Sequence, residues 1–86
     1  MTRDEANLLI LDVLEVVARS YPEQRFTQLM INLGIGESLS DRYNEEPIFT
    51  LQWLLAHPIV QQLGDHPTIK TLTTLYGVKN ARTEDT

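Results

Sequence analysis

The first helix of this chain limits the fold more than any other segment, because its side chains are apolar around far more of the circumference than one small core requires. At about 100° per residue, Ala6, Leu9, Ile10, Leu11, Val13, Leu14, Val16, Val17 and Ala18 fill an arc of roughly 220°. An ordinary surface helix carries a stripe a little over about 100° wide. The remaining polar strip holds Asp4, Glu5, Asp12, Glu15 and Arg19, and Leu8 interrupts it. Such a helix must be packed on several sides, either as the central helix of a bundle or at the seam between two chains.

Local chemistry sets the ends of the elements. Thr2 followed by Glu5 reads as a capping box, and acids in the first turn suit the positive end of the helix dipole, so helix one is expected from Arg3 to Arg19. Tyr21-Pro22 should end it and open helix two, from Pro22 to Leu33, with Gly34 and Gly36 as its stop. Phe26, Leu29, Met30 and Leu33 recur at the spacing of one buried face. Ser38, Ser40, Asp41 and Asn44 make a loop, after which Pro47 opens a helix to about Ala56 with Phe49, Trp53 and Leu54 facing inward.

The last third carries an internal echo. His57-Pro58-Ile59-Val60-Gln61-Gln62-Leu63 aligns with His66-Pro67-Thr68-Ile69-Lys70-Thr71-Leu72. Each copy reads as a helix start with proline in the first turn, and Gly64 and Gly77 end the two short helices. Ile69, Leu72 and Tyr76 keep helical spacing, although the threonines between them also suit a strand. The expected fold is therefore a small all-α bundle of four to five helices with the apolar N-terminal helix at its centre. Residues 1–78 form its single domain, and 79–86 are a polar tail expected to be mobile.

At 86 residues, one core is only marginally sufficient, and association is a common remedy. The chain has no cysteine, which removes disulfides, thiolate metal sites and cysteine nucleophiles. The run Leu8 to Leu11 is broken by Asp12 before it could span a bilayer, and acids stand where a signal peptide carries basic residues. A cytoplasmic protein without a membrane partner is expected. Twelve acids against seven bases leave a net charge of −5, which opposes attraction to phosphate backbones.

Few residues suggest chemistry. Arg25, Gln28 and Asn32 share one strip of helix two and offer hydrogen bonds to peptide or nucleobase edges. The structural alternative, which is preferred, makes Arg25 a brace to Asp41, Glu45 or Glu46 with Gln28 and Asn32 supporting that loop. Glu45 and Glu46 are adjacent and poorly placed as a carboxylate pair, whereas acids before Pro47 suit a helix N-terminus. His57 and His66, with Asp65, lack the spacing of a helical metal site, so neither a metal nor another cofactor is expected. Ser20, Ser38 and Ser40 have no activating motif, and Gly34-Ile35-Gly36 follows no strand. No catalytic constellation emerges.

The run Pro22 to Leu33, followed by Asp41-Arg42-Tyr43-Asn44-Glu45-Glu46, resembles small uncharacterised bacterial and phage proteins. In these, an arginine-aromatic-x-glutamine-aliphatic helix precedes an aspartate-aromatic-glutamate loop. The likeness covers about a third of the chain, and Thr27 stands where many such proteins have glycine. It implies no activity and favours the Arg25 brace.

The functional expectation is a noncatalytic protein-interaction module, homodimeric through a face of helix one containing Leu9, Val13, Val16 and Val17. The alternatives are a helix-turn-helix-like nucleic-acid binder, against which Glu23, Glu45 and Glu46 argue, and an acidic inhibitor of a nucleic-acid enzyme.

Overall fold

The computed structural model describes residues 1–35 and 43–77. Five helices span them: α1 (Arg3–Ser20), α2 (Phe26–Asn32), α3 (Pro47–Ala56), α4 (Pro58–Gln61) and α5 (Pro67–Tyr76). No strand occurs among the described residues, so the all-α expectation holds and the threonine-rich segment is helical. The expected tail at 79–86 lies outside the described residues, as do Gly36, Ser38, Ser40, Asp41 and Arg42.

The capping box forms as the sequence predicts. Glu5 N–H donates to Thr2 Oγ1 at 3.1 Å, and Thr2 N–H donates to Glu5 Oε1 at 2.8 Å. The second helix differs, beginning at Phe26 rather than Pro22. Proline's fixed φ suits the second position of a tight turn as well as a first helical turn, and here the turn forms. Gln24 N–H donates to Tyr21 O at 3.1 Å, Arg25 is extended, and Gln28 Oε1 accepts from Arg25 N–H at 2.8 Å. Past the other end of α2, Gly34 takes a φ of 79°, which a side chain would strain, and its N–H donates to Ile31 O at 2.9 Å.

The two histidines of the echo act alike. Each is the residue before the helix, and its Nδ1 accepts from the backbone N–H two residues on, Ile59 for His57 and Thr68 for His66, both at 3.1 Å. Proline at the first position has no N–H to satisfy, so this bond fills the next orphan donor.

Packing makes α1 and α3 the central pair. Their contact is the most extensive in the molecule, with α2 and α5 also against α1, and α4 and α5 against α3. The core gathers Val13, Val16 and Val17 from α1, Leu29 and Leu33 from the α2 segment, Leu51, Leu54 and Leu55 from α3, Val60, Ile69 and Leu72. Burying each such side chain contributes about 1.5–3 kcal/mol relative to exposure.

This packing corrects the expected dimer face. Val13, Val16 and Val17 are buried within the chain and Leu9 packs half-buried against the same core, so this face is consumed by the protein's own helices. What stays outside is the opposite flank, with Leu8 59% and Leu11 57% exposed. Two aromatic expectations are corrected as well. Phe26 and Phe49 are exposed at 66% and 57%, while Leu54 is fully buried and Trp53 half-buried. Phe26 stands at the first position of α2, where a short helix has only begun to lie on the core. Phe49 turns outward because Leu51, Leu54 and Leu55 already occupy the inward side of α3.

Candidate functional site

Two surface features lie on the outside of the bundle, one around α2 and one along α1. In the first, α2 approaches the end of α1 and the start of α4 and leaves a notch of about 220 Å³. Its floor is apolar, made by Val17, Leu29, Leu33 and Ile59. The rim is neutral and polar, formed by Tyr21, Gln24, Asn32 and Gln62. Asn32 Nδ2 donates to Gln24 Oε1 at 3.0 Å, which ties two rim amides together. Across the opening, the Tyr21 hydroxyl lies 3.5 Å from Gln62 Oε1, at the limit of a hydrogen bond. A shallower shelf continues outward over Gln24, Gln28, Ile31 and Asn32, and Ile31 is 57% exposed.

Gln28 and Asn32 of the sequence-predicted strip thus share one surface, but their roles differ from those expected. Gln28 caps the start of α2, and Asn32 borders the notch. Arg25 forms no ion pair among the described residues, and Asp41 lies outside them. Among the described residues, the brace to the acidic segment comes from Arg3. Arg3 grips Glu46 with two bonds, Nε to Oε1 at 3.0 Å and NH2 to Oε2 at 2.8 Å. The geometry is the two-pronged one that guanidinium and carboxylate favour. It ties the start of α1 to the residue that precedes α3. The guanidinium's hydrogen bond holds the Glu46 carboxyl below its ordinary range, and the Glu46 bond raises Arg3 in turn. Glu5 is likewise lowered, chiefly by the backbone N–H of Thr2. Glu45 is used structurally, accepting from the Thr50 hydroxyl at 2.8 Å. The acids before Pro47 therefore organise the entrance to α3.

Along α1, Asp4, Leu8, Leu11 and Glu15 follow one another at i, i+4, i+7 and i+11, a stripe roughly 60° wide on the outer flank. All four are exposed. Arg19 Nε donates to Glu15 Oε2 at 2.8 Å at one end of the stripe. Beside the other end lies an open trough of about 440 Å³, lined by Met1, Glu5, Leu8, Leu9 and Tyr76. Met1 is itself 55% exposed.

Sequence reasoning missed Arg3 because its partner lies 43 residues away, and no spacing rule reaches across the bundle. It also missed Tyr21, Ile59 and Gln62, which meet Asn32 only after α4 packs. Their one visible signal is an amide-rich composition near Pro22 and Pro58. His57 and His66 spend Nδ1 on their own helices, and no cluster of three or more potential metal ligands occurs among the described residues. Nor is any helix there long and apolar enough to cross a membrane. In comparisons with known proteins, no family model, no curated protein and no solved structure matches the chain.

Proposed function

We propose that this protein is a noncatalytic protein-interaction module that pairs with a second copy through the outer flank of α1. The observation that carries the reading is the exposure of Leu8 and Leu11, side by side on the helix that supplies much of the core. Large exposed apolar side chains grouped on one face commonly mark association surfaces. The two leucines can face those of a second copy about a two-fold axis. In an antiparallel pairing, Leu8 meets Leu11 of the second copy, and Asp4 meets its Glu15–Arg19 pair, where the guanidinium offsets one of the two acids.

Burying the exposed parts of four leucines is worth about 4–5 kcal/mol. That only matches the lower end of the association cost of about 4–15 kcal/mol. Contacts from Met1 and the trough add to it, so the expected dimer is weak and concentration-dependent. Light scattering on a size-exclusion column over a roughly hundredfold concentration range tests this. The expected result is a mass that rises toward twice the monomer and is held at monomer by Leu11→Glu. A wild-type protein that stays monomeric throughout refutes pairing, and a dimer indifferent to Leu11→Glu refutes the surface.

A further inference from the structure

We propose that the paired histidine-proline caps form an acid-sensitive latch, in which proton uptake by His57 and His66 releases the first turns of α4 and α5 and loosens both helices from the core. The latch works within one chain and does not depend on the pairing of two copies.

The internal echo of the sequence is repeated in the geometry. Each histidine stands before a proline-led helix, and its Nδ1 accepts from the backbone N–H two residues on at 3.1 Å. An imidazole can accept there only when it is neutral and carries its proton on Nε2. A second proton occupies Nδ1 itself, so a donor then faces a donor and the backbone N–H loses its partner. Three residues after each histidine comes a side chain sealed in the core, Val60 at 0% and Ile69 at 1% exposure. Each cap thus fixes the turn that seats a core residue. Because Val60 and Ile69 belong to one cluster, both caps act on the same packing.

The charges around the two histidines differ. His57 lies between α3 and α4, and neither helix contains a charged residue. Its ring meets the edge of Trp53 with centroids 6.0 Å apart, and α4 meets the neutral phenol of Tyr21 through Gln62. An imidazolium at His57 therefore gains no carboxylate from either helix. His66 shares a cleft of about 420 Å³ with Asp12, Glu15 and Arg19 of α1 and with Thr68. Asp65 precedes it, Lys70 follows one turn on, and α3, on which α5 also packs, adds no charge. Arg19 already engages Glu15, so Asp12 and Asp65 are the carboxylates that offset a charge on His66. His57 is accordingly the stronger arm of the latch. Since the caps require neutral rings, their contribution is complete above the pH at which free imidazole is half protonated, about 6.5, and is lost on further acidification.

The test is thermal unfolding of the wild-type protein, His57→Asn, His66→Asn and the double variant at micromolar concentration. It runs from about pH 7.5 to about 5.5, the span across which imidazole changes charge. An asparagine carbonyl caps a helix throughout this range. The expected result is a wild-type Tm that falls by about 4–8 °C relative to the double variant, as loss of one to two neutral hydrogen bonds implies. His57→Asn is expected to remove the larger part of the fall, and Asp12→Asn to deepen the part that His66 carries. In two-dimensional amide spectra of the wild type, the Ile59 and Thr68 signals should move as the imidazole signals titrate. Parallel Tm profiles for the wild type and the double variant overturn the proposal, as does a wild type that gains stability in acid relative to that variant. Should the double variant fail to fold, the wild-type spectra decide, and Ile59 and Thr68 signals that stay fixed while both imidazoles titrate overturn it.

Discussion

Alanine substitutions at Val13 and Leu11, made one at a time, separate the two sides of α1 although the residues are only two positions apart. Val13 is fully buried, whereas Leu11 is 57% exposed. Val13→Ala removes two methyl carbons from the core, worth about 1.6 kcal/mol at ~0.8 kcal/mol each, and the incompletely closed void raises the loss to about 2–3 kcal/mol. A chain of this length has a total stability of roughly 4–13 kcal/mol, so the loss is a large share of it. It should appear as a fall in Tm of about 10–20 °C. Leu11→Ala removes more carbon but from the outside, and the better helix propensity of alanine offsets part of the change, so a shift within about 0.5 kcal/mol is expected. Urea and thermal unfolding followed by circular dichroism, at micromolar protein where a weak dimer is dissociated, measures both. Equal losses for the two substitutions under those conditions would refute the packing of α1. A loss at Leu11 that grows with protein concentration would instead report its burial between copies.

Further expectations follow from the caps and the ion pair. Thr2→Ala should cost about 1 kcal/mol by opening the capping box at α1, and Thr2→Ser should restore most of it in the same unfolding assay. Gly34→Ala should lose about 1 kcal/mol, because the φ of 79° strains any side chain, while the added methyl would sit at ordinary contact from Trp53. Glu5 and Glu46 have folded-state pKa values below their unfolded ones, so their contribution is present above the unfolded value and is lost as pH falls through the folded one. Stability should therefore drop on acidification below the usual carboxylate range, and Arg3→Met should flatten that limb, as read by Tm against pH. An unchanged profile in Arg3→Met would mean that the Arg3–Glu46 contact does not persist in solution.

Much of the fold is legible in the linear chain because it depends on neighbours a few residues apart. The capping box at Thr2 and Glu5, the glycine stop at Gly34, and the proline-led starts at Pro47, Pro58 and Pro67 are short-range matters of orphan N–H groups and allowed φ. The repeated His-Pro pair also reads correctly as start chemistry, since an acceptor just before proline reaches the next backbone donor whatever surrounds it. Tyr21-Pro22 shows the limit of local reasoning. The same dipeptide suits a turn or a helix, and the choice fell to the turn that lets α2 begin at Phe26.

The tertiary structure alone decided how the surplus of apolar surface on α1 is used. An arc of roughly 220° can be covered by a second chain or by three helices of its own, and periodicity is the same in both cases. Here α3 covers Val13, Val16 and Val17 with help from α2 and α5, and only Leu8 and Leu11 remain exposed among the large apolar side chains of the helix. The partner of Glu46 was settled in the same way. Arg3 and Arg25 are equally able to pair with a carboxylate, and the packing of α1 on α3 brings Arg3 within 2.8 Å. The notch arises only where α4 crosses near the end of α1, so its rim draws on residues 41 positions apart. Composition and spacing fix what each residue can do, but contact between distant segments is a property of packed shapes, and it is there that both candidate surfaces of this protein are made.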